Sequence, residues 1–94
     1  MDRSAFIDKV AAQLKQWNAE IENLEAKADK AKAVAKADYR KHIEDLRIKK
    51  QAVQDRLEDA KQTSDEAWEE LKSGAEEAYK TMKNACQTAM SKFR

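Results

Sequence analysis

Residues 26–38 read AKADKAKAVAKAD, and how this stretch is taken decides the rest of the chain. It holds six alanines, four lysines, two aspartates and a single larger apolar residue, Val34. Neither Gly nor Pro interrupts it, and Ala and Lys are strong helix formers, so the stretch predicts helix rather than turn. Its apolar side chains are nearly all methyl groups, so a helix pairing along it would gain little burial per turn.

Upstream, a seven-residue rhythm carries larger side chains. Ile7, Leu14, Ile21, Ala28 and Ala35 share one register, and Val10, Trp17, Leu24 and Ala31 follow three residues behind, the a and d spacing of a coiled-coil seam. Downstream, the same register would put Asp38, His42, Asp45 and Lys49 on the seam. A shift of four residues restores it through Tyr39, Leu46, Val53 and Ala60, with Ile43 and Leu57 beside them. Such an insertion is a stutter, which unwinds a supercoil locally without ending the helix. The expectation is therefore one helix over residues 4–61.

The last third changes period. Trp68, Tyr79 and Met90 form one eleven-residue column, and Leu71, Met82 and Phe93 another, with Ala75 and Cys86 between them. Eleven residues complete three turns with about 20° left over, so this stripe runs nearly straight. Its apolar side chains span roughly 140° of a helical wheel, wider than a two-stranded seam requires. Lys72 and Lys83 lie at the edge. Such an arc suits packing against two surfaces, or lying on one broad one.

Between these parts lies QTSDEAW, residues 62–68. Thr63 followed at the third place by Glu66 fits a capping box, and Asp65 and Glu66 suit a first helical turn. The fold expected is thus all-α and a single elongated helical domain over residues 1–94. It comprises a long helix at 4–61, a turn at 62–65 and a shorter helix at 65–93. The alternative is one uninterrupted rod of about 135 Å. Gly74 is a weaker candidate hinge.

Composition narrows the function. Leu, Ile, Val and Phe number fourteen in 94 residues, while charged residues make up 39%, leaving little to enclose a catalytic cleft. Lys and Arg total 19 against 18 Asp and Glu, so the strong net charge of a disordered tail is missing. His42 is the sole histidine and Cys86 the sole cysteine, which leaves no two-histidine zinc site and no intrachain disulfide, and any nucleophilic triad would have to draw on His42 from the exposed side of a rod, so none is expected. His42, between Asp38 and Asp45, reads as part of a helix-surface ion pair. Cys86 reads as a small packing residue, with an interchain disulfide in a parallel dimer as the alternative. No catalytic residue, cofactor, metal or small-molecule substrate is expected. Residues 31–62 hold nine Lys or Arg, including Arg40, Lys41, Arg47, Lys49 and Lys50, but six acidic residues interrupt them and no recognition motif appears, so specific nucleic-acid binding is not expected. Asp8, Lys9, Gln13 and Lys15 break any apolar run in MDRSAFIDKVAAQLKQW, and no span long enough for a membrane occurs, so a cytoplasmic setting, peripheral to a membrane at most, is expected.

The strings AFIDKVAAQLKQWNAEIENLEAKAD, AKADKAKAVAKADYRKHIEDLRIKK and DEAWEELKSGAEEAYKTMKNACQTAMSKF together resemble a family of small bacterial coiled-coil proteins described loosely as stress-response proteins. Trp17, residues 39–46 and the segment from Trp68 to Gly74 carry the resemblance, with Tyr79 and Phe93. It implies a wholly helical chain and a general stress or envelope association, and it transfers no catalytic residue. The expected function is a non-enzymatic structural or protein-interaction coiled coil acting through the seventeen large stripe residues named above. One narrow stripe cannot bury itself on an isolated helix, so a homo-oligomer is expected, a dimer first. The alternative is reversible, apolipoprotein-like or phasin-like binding of lipid by the C-terminal helix.

Overall fold

The computed structural model describes residues 2–93. These form three helices, α1 (Arg3–Lys30), α2 (Ala33–Gln62) and α3 (Asp65–Lys92), with no strand among the described residues. The all-helical expectation holds. The single helix expected over 4–61 does not: it divides at Ala31 and Lys32, whose backbones are extended with ψ of 156° and 160°. The four-residue shift in the apolar register, read as a stutter, coincides with a reversal of the chain.

The physical reason lies in the alanine-rich stretch itself. A straight helix through it would leave the large residues of α1 and α2 strung along a line, each stripe exposed to water. Reversing at Ala31 breaks a few backbone hydrogen bonds, one of which is replaced when the Ala31 amide donates to the Ala28 carbonyl at 3.1 Å. In exchange, two apolar stripes are buried against each other, which is worth far more. Lys27 and Lys30 sit in the last turn of α1, where their charge suits the carbonyl end of the helix. Lys32 stands at the N-cap of α2 with no side-chain cap, so nothing in local capping chemistry marks the turn.

The second reversal is built from ordinary capping residues. Thr63 and Ser64 are extended, with ψ of 160° and 165°, and the Ser64 hydroxyl accepts from the Ala67 amide at 3.1 Å. The cap is therefore Ser64 rather than Thr63, and Ala67 occupies the place where a capping box would need Glu or Gln. Asp65 and Glu66 lie in the first turn of α3. At the opposite terminus of the chain, Asp2 caps α1 by accepting from the Ala5 amide at 2.7 Å.

Up-down-up packing of the three helices gives a bundle of 51 × 19 × 18 Å, excluding the 135 Å rod. Helices α1 and α3 run parallel, each antiparallel to α2, and these two approach each other least closely. One apolar core runs the length of the bundle, and no polar or charged side chain is buried in it among the described residues. α3 continues unbroken through Gly74, whose φ is not positive, so Gly74 is not a hinge.

Candidate interaction surfaces

The seventeen stripe residues all belong to the core of the bundle. Val10, Leu14, Trp17, Ile21 and Leu24 are buried on α1; Ile43, Leu46, Val53 and Leu57 on α2; Trp68 and Met82 on α3. Ile7, Tyr39, Leu71, Tyr79, Met90 and Phe93 are half-buried and pack at the margins. The premise that only a second chain could cover the α1 stripe therefore fails, because α2 and α3 of the same chain cover it. The wide arc of α3 serves packing against two surfaces, which here are α1 and α2.

Phe6 is a core residue that the heptad reading passed over in favour of Ile7. It is 1% exposed and its ring lies 4.9 Å from Trp68, centroid to centroid. A three-helix core is wider than a two-stranded seam, so it recruits the position beside the seam as well. The signal was present in the four-residue steps from Phe6 to Val10 to Leu14. Ala28, Ala60, Ala75, Cys86 and Ala89 are also buried, their small side chains letting the helices come close.

Aromatic contacts tie α3 to both partners. Trp17 and Tyr79 are 5.3 Å apart, with the Lys9 ammonium 4.8 Å from the centre of the Tyr79 ring. Near the C-terminal end of α3, Phe93 stacks on Tyr39 at 4.1 Å and meets the edge of His42 at 5.2 Å. His42 Nε2 lies 3.8 Å from the Asp38 carboxylate, while Asp45 turns instead to Lys49 at 2.8 Å.

Cys86 lies between α1 and α3, and its thiol donates to the Glu20 carboxylate at 2.6 Å. Burial first, then this hydrogen bond and the charge of Glu20, push the thiol up to about 12 from its ordinary 9.0. A thiol so held is protonated at neutral pH and makes a poor nucleophile. No group of three or more His, Cys, Asp or Glu residues is arranged to hold a metal among the described residues.

The outer surface is charged, and several of its contacts fasten one helix to another. Arg3 reaches Asp65 at 2.9 Å and the Ala60 carbonyl at 3.3 Å, joining all three helices at one end. Arg47 pairs with Glu25, and Lys50 donates to Asn18 at 2.6 Å, both between α2 and α1. Lys27 donates to the Phe93 carbonyl at 3.1 Å, and Lys92 pairs with Asp38 at 3.0 Å, closing the other end. The basic residues of α2 thus diverge: Arg47 and Lys50 turn to α1, and Lys49 to Asp45 on its own helix. Among the described residues, two large apolar side chains stand outside, Val34 at 87% exposure and Ile48 at 64%. No helix among the described residues is long and apolar enough to cross a membrane. No protein family, curated protein or solved structure matches the chain.

Proposed function

We propose that the protein is a non-enzymatic structural or protein-interaction module, stress-associated as the family resemblance implies. The observation that carries this reading is the use made of its large side chains: all seventeen close the bundle, and several surface polar side chains clasp one helix to another. A second copy is the partner favoured. Ile48, exposed near the middle of the outer face of α2, is the apolar side chain such a contact would cover. Sedimentation velocity tests it: a dimer that Ile48→Asp dissociates, with helicity unchanged, supports the reading. A strict monomer at tens of micromolar would end it.

Reversible lipid binding by α3 is the second reading, favoured by one specific feature. α3 meets α1 less closely than α2 does, and its two ends are fastened by exposed ion pairs, Arg3 with Asp65 and Lys92 with Asp38, each worth at most about 1 kcal/mol. Released, α3 would present Trp68, Leu71, Met82 and Met90 to a bilayer. Vesicle titration of the Trp17→Phe protein, following Trp68 emission, tests this. Opening predicts a change in emission as Trp68 leaves the core; constant emission in the presence of bound vesicles refutes it.

A further inference from the structure

We infer that the end of the closed bundle formed by the α1–α2 turn is a docking tip for an anionic lipid surface. Residues 27–41 carry Lys27, Lys30, Lys32, Lys36, Arg40 and Lys41 against only Asp29 and Asp38. Asp38 is already engaged by Lys92 and His42, at 3.0 and 3.8 Å. Lys30, Lys32 and Lys36 make no ion pair among the described residues. Lys30 and Lys32 are exposed and Lys36 is half-buried, so charge is left at this end for an outside partner.

Val34 stands among these lysines, 87% exposed in the first turn of α2. Helical side chains lean toward the N-terminus of their helix, so Val34 points toward the tip rather than along the flank. Most exposed apolar residues need no explanation. This one sits where its neighbours are alanines and lysines, so nothing bulky prevents it from entering an interface, and lysine stems can follow it while their ammonium groups stay with lipid phosphates.

The far end carries the opposite charge. The first half of α3 holds Asp65, Glu66, Glu69, Glu70, Glu76 and Glu77 against the single Lys72, whereas residues 79–93 hold three lysines and no acid. An anionic surface therefore attracts one end of a 51 Å bundle and repels the other, which sets an end-on orientation. Nucleic acid is the other polyanion to weigh. It would reward exposed aromatic rings, but Tyr39 and Phe93 near this end are stacked on each other. A protruding aliphatic side chain gains from hydrocarbon and gains nothing from a phosphate backbone.

This docking needs no opening of α3 and is separable from the readings above. Each lysine near an anionic bilayer contributes about a fivefold gain in partitioning. The test is co-sedimentation with phosphatidylcholine vesicles, with and without phosphatidylserine. Binding is expected only when phosphatidylserine is present, falling as salt is raised, with the emission of Trp68 unchanged. Lys30→Glu/Lys32→Glu/Lys36→Glu should weaken it by at least about a hundredfold, the loss of the three lysine contributions alone. Lys15→Glu/Lys49→Glu/Lys61→Glu makes the same change in net charge away from the tip and should weaken it far less. Val34→Asp should weaken it severalfold; circular dichroism confirms that each variant is folded. Equal losses in the two triple variants would overturn the assignment, as would binding indifferent to phosphatidylserine or a shift in Trp68 emission. Salt-sensitive self-association, or duplex binding without vesicle binding, that the tip reversal abolishes would give the lysines another partner and overturn it as well.

Discussion

Two residues show how the packed bundle changes the chemistry of side chains that were unremarkable in the linear chain. Cys86 remains protonated in the folded protein at pH values where its unfolded counterpart ionises, because its folded value is raised to about 12 from 9.0. The stabilisation from this linkage is present below the unfolded value and is lost as pH rises from about 9 toward 12. Denaturant titrations of the wild type and Cys86→Ala across that range should show a steeper alkaline loss in the wild type; parallel slopes would remove the effect. Gly74 offers a complementary case. A methyl group built there would meet the Arg56 guanidinium no closer than 3.5 Å, an ordinary contact. Gly74→Ala should therefore raise stability by about 1 kcal/mol, through the smaller entropy lost on folding. A lower melting temperature for that variant would show that the space is not free.

The two turns differ in what they reveal at the level of the helices. The Thr63–Ser64 turn carries a hydroxyl cap and two acids in the following first turn, the combination that starts helices. Ser64→Ala should cost about 1 kcal/mol, measurable as a lower midpoint in urea, while Thr63→Ala should cost less. The Ala31–Lys32 turn carries neither a cap side chain nor a Gly or Pro, and a reading of local signals passes over it. Lys27 and Lys30 are the faint marks of a helix end there, and alanine-rich helices contain lysines everywhere. What breaks the helix is a partner that lies distant in the chain: the stripe from Phe6 to Leu24 finds the stripe from Ile43 to Leu57. Apolar periodicity therefore marked the inward face of each helix, although Phe6 falls outside the heptad register and Tyr39, Leu71 and Tyr79 come out half-buried. It did not disclose what covers them, because a seam closed by a second chain and a seam closed by a reversal have the same spacing.

For the molecule as a whole, stability rests on a thin core shared among three helices. Leu46 is 1% exposed and lies in that core, so Leu46→Ala should cost about 2 to 5 kcal/mol. Glu77→Ala, on the exposed surface, should stay within about 0.5 kcal/mol. Thermal melts in which the two behave alike would contradict the observed packing. The charge separation between the first half of α3 and the α1–α2 turn was invisible in the linear order, because the acidic segment at 65–77 and the lysines at 27–41 lie far apart in sequence and their opposition depends on topology. An odd number of helices has a further mechanical result. Asp2 stands at the end of the bundle held by Arg3 and Asp65, and Phe93 at the end held by Lys27. A pull on the two chain ends therefore runs along the long axis and slides α1 and α3 past α2 in shear, loading whole stripes of side chains together rather than peeling contacts singly.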